Sequence, residues 1–376
     1  MRPEQSVEDN RAMSVAYIVG QLGLGGSERQ LYLLAGQLKS RGWQVSVFNL
    51  NPSESDYWVA PLKNLSLQIC DIPKNSSQVK RLFSLTRELS KIAPTIVHSW
   101  SLYTNIYAAL CGTAAHVPVR LGSERGNEEY SIKAYGNLRY NLSLMGLQGL
   151  VTNSPVEANN IIKKKPRLAV EYIPNGVETD ALYDRSTARE YLGISDGCLL
   201  VAGIGSLTSN KNFEYLIRVF SQIQERHPKA KLAIIGDGPE KNYLLHQASN
   251  SIPPDRFILP GAIPETHRLM AGVDILCVTS LTEGMPNVVL EACAAGTAII
   301  ANRIGAIPSI IQHGVNGFVL DVGNTAQFTC ALEKLLQDSL LRAEMGTAGK
   351  KLAQMEFSSQ KMADRFVAFY RKLIGY

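Results

Sequence analysis

From Met13 onward, short apolar runs rich in Val, Ile and Leu alternate with longer amphipathic segments, and this alternation restricts the fold more than any other feature. It is the pattern of parallel strands connected by covering helices, a doubly wound α/β architecture. In the first half the pattern predicts strands at 15–19, 45–48, 96–98, 119–122, 149–152 and 170–173, with helices at 27–39, 103–114 and 135–146. Pro174, Asn175 and Gly176, followed by the polar stretch 178–187, read as a connection between two units. The alternation then resumes, predicting strands at 199–203, 232–235, 256–259, 275–278, 298–301 and 318–320 and helices at 212–226, 239–248, 288–295 and 325–337. A last helix is expected over 358–373, where Met362, Phe366, Phe369, Tyr370 and Leu373 make one apolar face. At 376 residues the chain exceeds what a single core usually fills, so two α/β units are expected. Sheets of this kind bind ligands beyond the carboxyl ends of their strands, which makes the loops there the places to look for chemistry.

Composition narrows the class. Hydrophobic residues make up 45% and charged residues 19%, a globular balance. The six cysteines are scattered without a Cys-x-x-Cys pair, so neither a disulfide framework nor a zinc site is expected. The polar start and the lack of a long apolar run predict a cytoplasmic chain without a signal peptide or spanning helix. Net charge is +5. The excess lies in residues 1–180, with 19 Lys and Arg against 15 Asp and Glu, compared with 19 against 18 in the remainder. Lys163, Lys164, Lys165 and Arg167 contribute a basic run. Lys80, Arg81, Arg87 and Lys91 accompany an apolar set, Val79, Leu82, Phe83, Leu85 and Leu89. Such a segment either lies on an anionic membrane or packs on its own sheet. No nucleic-acid reader motif accompanies the charge.

The sharpest local signal runs from Glu283 through Gly284, Met285, Pro286, Asn287 and Val288 to Glu291, just after the predicted strand 275–278. Pro286 suits the first turn of a helix, whose free amides and dipole would receive an anion such as a pyrophosphate. Glu283 before the helix and Glu291 within it suit hydroxyl groups, so the stretch fits a ligand carrying both phosphates and sugar hydroxyls. Gly25 and Gly26 follow the first strand and open a helix, where missing side chains admit close approach of a phosphate or sugar. A dinucleotide fingerprint fails there, since Gly23 and Gly25 call for glycine at the position of Glu28.

These segments, in this order, resemble the family 4 retaining glycosyltransferases of the GT-B fold. The likeness runs from about Ser14 to the C-terminus and is carried by the two glutamates Glu283 and Glu291, by Gly25 to Arg29, Ile173 to Val177, Lys211-Asn212, Gly236 to Pro239 and Gly314 to Gly317. The resemblance implies two facing Rossmann-like domains, residues 13–180 on the acceptor side and 181–355 on the nucleotide-sugar side, with 356–376 returning to the first. It implies that Glu291 takes the donor ribose, that Glu283 lies beside the transferred sugar, and that Lys211 balances charge on the diphosphate without a metal or other cofactor. The family's arginine five residues before this lysine is replaced by Ser206. The histidine that many relatives carry after the fourth strand of the first domain is replaced by Ser123-Glu124-Arg125. Arg125 is a candidate for the missing positive charge and Glu124 for positioning the acceptor. His98, at the end of a predicted strand, is expected to face the same cleft. The implied reaction is sugar transfer from a nucleotide-diphosphate sugar to a hydroxyl, with polysaccharide, lipopolysaccharide core or glycolipid as product classes and an anionic membrane as a further contact. An epimerase of the same fold and a non-catalytic sugar-nucleotide or membrane-binding scaffold are the competing readings.

Overall fold

The computed structural model describes residues 13–72, 77–126, 132–133, 136–180, 182–195 and 197–375. Two parallel sheets organise them. The first contains β1 (Ser14–Val19), β2 (Gln44–Asn49), β3 (Gln68–Asp71), β4 (Ile96–Ser99), β5 (Val119–Glu124), β6 (Gly149–Thr152) and β7 (Ala169–Tyr172), in the order β3-β2-β1-β4-β5-β6-β7. The second contains β8 (Leu199–Ile204), β9 (Ala230–Ile235), β10 (Phe257–Gly261), β11 (Ile275–Val278), β12 (Ala298–Asn302) and β13 (Phe318–Leu320), in the order β10-β9-β8-β11-β12-β13. The order reverses between β1 and β4 in one sheet and between β8 and β11 in the other. Those two gaps are where doubly wound sheets open a crevice for ligands.

Burial explains why these runs are strands. Val15, Ala16, Tyr17, Ile18 and Val19 are all buried, as are Ile275, Leu276, Cys277 and Val278, because helices cover both faces of each sheet. β3 is the exception. It is an edge strand with the half-buried residues Ile69 and Cys70 between exposed ends, and its sequence gives no apolar run to predict it.

The Ser359–Ile374 helix returns to the first sheet and packs against the Gly26–Ser40 helix. Met362, Phe366, Phe369 and Tyr370 enter the core formed by β1, β2 and the Gly26–Ser40 helix. Burial of an apolar side chain of this size stabilises by about 1.5–3 kcal/mol, so four of them are ample to hold the helix there. At its start, a Cβ on Gly176 would lie 2.9 Å from Ser359 Cα. Val177 also forms an isolated parallel bridge with Ser358. The outgoing and returning connections are therefore in contact.

Three expectations change. The predicted helix at 135–146 is Asn137–Leu144, and residues 134–135 lie outside the described residues. Pro286 stands one position ahead of the first turn, as the N-cap of the Asn287–Ala295 helix. In the Gln78–Ile92 helix, Leu85 and Leu89 pack inward while Val79 and Phe83 remain more than two-thirds exposed, so the apolar set splits between two faces.

Candidate active site

The loop from β11 to the Asn287–Ala295 helix carries Glu283, and the loop after β8 carries Ser206 and Lys211. The two loops are stitched together. Leu281 N–H donates to Asn210 O at 2.8 Å, Asn210 Nδ2 donates to Thr282 O at 2.9 Å, and Thr279 Oγ1 donates to Lys211 O at 2.8 Å. This framework brings the Lys211 ammonium onto the Glu283 carboxylate as an ion pair, 72 residues apart in sequence, with both side chains partly open to solvent. Ser206 is exposed on the same loop.

The Asn287–Ala295 helix begins without a side-chain cap, so the amides of Asn287 and Val288 point out of its first turn. Asn287 is instead a bolt across the two halves. Its Nδ2 donates to Gly26 O at 2.8 Å, and its Oδ1 accepts from Asn175 Nδ2 at 2.7 Å and from Gln30 Nε2 at 3.2 Å. Asn175 also donates from Nδ2 to Met285 O at 3.1 Å. Gly25 forms the N-cap of the Gly26–Ser40 helix, and a Cβ on Gly26 would lie 2.7 Å from Asn287 Nδ2. Glu291, one turn into its own helix, pairs with Arg29 of the Gly26–Ser40 helix.

Glu124 ends β5, and Arg125 follows it at the seam between the two halves. Glu124 is buried, and its Oε1 accepts from the Gly126 N–H at 3.1 Å. The Arg125 guanidinium stacks 3.6 Å above the Trp100 ring and donates to Asn175 Oδ1 at 3.3 Å. Burial lowers its pKa to about 10, which leaves it charged at neutral pH. The backbone of Arg125 meets the opposite wall, since a Cβ on Gly284 would lie 2.7 Å from Arg125 O. The loop between β11 and the Asn287–Ala295 helix and the end of β5 are therefore in direct contact.

His98 does not reach the cleft. It is fully buried, its Nδ1 lies 2.7 Å from the Tyr370 hydroxyl, and its Nε2 lies 3.0 Å from Ser123 Oγ. Tyr370 continues to Tyr17 at 2.9 Å, and Trp100 and Phe366 pack around the imidazole. The strand-end rule pointed His98 toward the cleft, but Trp100 and the returning helix close over it. Burial lowers its pKa to about 3, so it is neutral and serves as a core polar link.

Sequence reasoning did not identify Arg29, Gln30, Asn153 or Asn175 as members of this region. Arg29 and Asn175 lay within the quoted motifs, but the partners that give them meaning are 262 and 112 residues away.

Two facing parallel α/β sheets with an anion-ready helix end, a lysine and two carboxylates between them define a GT-B glycosyltransferase. Family models agree: residues 184–352 match "Glycosyl transferases group 1" and residues 24–181 match "Glycosyltransferase Family 4". The chain belongs to the family 4 glycosyltransferases. It is 29% identical over 209 residues to N-acetyl-alpha-D-glucosaminyl L-malate synthase of Bacillus anthracis, covering 55% of this chain and 54% of that one. It is 23% identical over 348 residues to the lipopolysaccharide core biosynthesis glycosyltransferase LpsD of Rhizobium meliloti, covering 92% and 95%. The chain spans about half the length of the first curated relatives it matches. Anabaena HepE, solved in complex with UDP-glucose, shares the fold with a TM-score of 0.84 at 18% identity, over 96% of this chain and 100% of that one.

Proposed function

We propose that this glycosyltransferase moves a sugar from a nucleotide-diphosphate sugar to a hydroxyl acceptor with retention of anomeric configuration. The donor sits on the 181–355 side, and the acceptor enters from 13–180 together with the returning 356–376 segment. The observation that carries this reading is the Lys211–Glu283 pair beside the uncapped start of the Asn287–Ala295 helix, with Glu291 one turn within it. Lys211 and the amides of Asn287 and Val288 neutralise the departing diphosphate. These groups supply the positive charge the reaction needs, so no metal is invoked. Glu283 accepts a hydroxyl of the transferred sugar, and Glu291 accepts the ribose hydroxyls. The bond from the anomeric carbon to the diphosphate oxygen breaks as the acceptor oxygen bonds to that carbon on the same face. The acceptor proton passes to an oxygen of the departing phosphate. Ser206 hydrogen-bonds the diphosphate where relatives use arginine, and Arg125 adds charge from the opposite wall.

The acceptor we favour is lipid-linked, presented at the inner face of an anionic membrane. Lipopolysaccharide-core relatives support that class, as do the exposed Val79, Phe83, Leu138 and Met145 on the basic first half. Among the described residues no helix is long and apolar enough to cross a membrane. Incubation with UDP-, GDP-, ADP- and TDP-sugars, with and without lipid-linked acceptors, tests the reading by mass spectrometry and by proton NMR of the new linkage. Acceptor-dependent product with the donor's anomeric configuration is expected. Isomerised donor without acceptor, or an inverted linkage, would overturn it.

A further inference from the structure

The ribose carboxylate is paired with a residue from the wrong side of the cleft. Glu291 belongs to the nucleotide-side sheet, yet the cation on its Oε1 is Arg29 Nη1 from the helix that follows β1. Both residues are at most 9% exposed. Arg29 stands near the amino end of its helix, where the helix dipole disfavours a cation, so the helix itself gives no reason for the charge. Its second nitrogen lies 3.4 Å from Glu178 Oε2 in the connection between the halves. The Glu291 side chain keeps 11% of its surface open, and its Oε2 has no hydrogen bond among the described residues.

We infer that Arg29 is the positioning residue for the donor carboxylate Glu291, reaching from the acceptor-side helix to hold it as a charged acceptor with Oε2 left for the ribose hydroxyls. This rests on the reading of Glu291 as the ribose residue. A ribose offers hydroxyl donors, so only an ionised carboxylate can accept from both of them. A buried carboxylate alone tends to protonate and become a donor itself. Burial raises the Glu291 carboxyl above its ordinary value, and the charge and hydrogen bond of Arg29 offset part of that rise. The ribose site is thus complete only when the two halves are together.

The other groups around Glu291 do not supply this charge. Glu178 is an acid and shares Arg29. His267, from the Thr266–Gly272 helix, lies 3.9 Å from Glu178, and burial, Arg29 and Arg268 lower it to about 3, so it is neutral. Arg268 is engaged over the Tyr183 ring. The Ser339–Glu356 helix presents Met345, Gly346, Gly349 and Ala353, while β11, β12 and the Ile307–Ile310 helix contribute apolar side chains to this core.

The test is calorimetric titration with UDP, GDP, ADP and TDP from pH 5.5 to 8.5, on wild type, Arg29→Gln, Arg29→Lys, Glu291→Gln and the double variant Arg29→Gln/Glu291→Gln. The nucleotide that binds wild type should lose less affinity as pH falls than it does with the Arg29→Gln variant. In Arg29→Gln, affinity should fall as pH falls, approaching tenfold per unit, because Glu291 now takes up a proton before it can accept from ribose. Arg29→Lys, which keeps one charge but not the planar fork, should lie between the two. The double variant should bind weakly at every pH. Arg29 variants whose curves run parallel to wild type would overturn the inference, and the Lys variant alone suffices if the Gln variant does not fold. Undiminished binding by Glu291→Gln, or no nucleotide bound by wild type, would instead overturn the donor reading beneath it.

Discussion

Gly284→Ala should hold the two walls of the cleft apart without damaging either one. The added Cβ would lie 2.7 Å from Arg125 O, 3.0 Å from Asn153 Oδ1 and 3.3 Å from Arg125 C. Relief therefore needs a shift of about 0.5 Å or more against main chain that cannot swing aside, and overpacking of this kind costs about 1–3 kcal/mol. Gly284 belongs to the second sheet's loop, whereas Arg125 and Asn153 belong to the first. The easiest relief is to open the seam rather than distort either core. An energy of about 1–3 kcal/mol charged to closure is a loss of roughly 5- to 150-fold in donor affinity. Melting temperature should change little. Donor titration, small-angle scattering and a thermal melt on the variant separate these terms, with Gly197→Ala as control because nothing lies within 4 Å of its added Cβ. An unchanged affinity and an unchanged radius of gyration with saturating nucleotide would show that the contact between Gly284 and Arg125 plays no part in closure.

Two further outcomes follow from the same geometry. His98 is neutral when folded, with its pKa depressed to about 3, and ordinary when unfolded, so the unfolded chain binds the extra proton as pH falls. Its contribution is complete above about pH 6.5 and is lost at about 1.4 kcal/mol per unit below it; His267, also lowered to about 3, adds in the same direction. Urea melts at pH 7.5 and 5.5 should show that loss shrinking in His98→Gln, and an identical pH slope in the variant would refute the assignment. Changing Lys163, Lys164 and Lys165 together to glutamate should reduce sedimentation with anionic vesicles at low salt, and undiminished sedimentation would remove the membrane-side acceptor.

Parallel strands such as β11 and β12 are legible because both faces are buried, which leaves continuous apolar runs. The Ser339–Glu356 helix escaped notice because Gly346 and Gly349 interrupt its pattern; Gly346 is there for packing, since a Cβ would lie 2.0 Å from Gly296 O. The Pro155–Lys164 helix also went unpredicted, although Ser154 caps it by accepting from the Glu157 N–H and Pro155 opens it. At the site, Glu283 and Glu291 stood out within one local stretch around the start of the Asn287–Ala295 helix, whereas Lys211 came from the family resemblance. Arg29 and Asn175 gain their roles only by closure of two sheets, and no spacing rule carries that information. His98 shows the converse failure, a correct strand end whose exit is sealed by a helix more than 250 residues later.

The most direct measurement is acceptor-dependent release of nucleoside diphosphate by wild type and Lys211→Ala at saturating donor. If Lys211 stabilises the departing diphosphate, wild type turns over and the variant falls by roughly 100- to 1000-fold in kcat while still binding donor. Equal release by both proteins, or donor that stays intact in the presence of every acceptor, would contradict glycosyl transfer at this site.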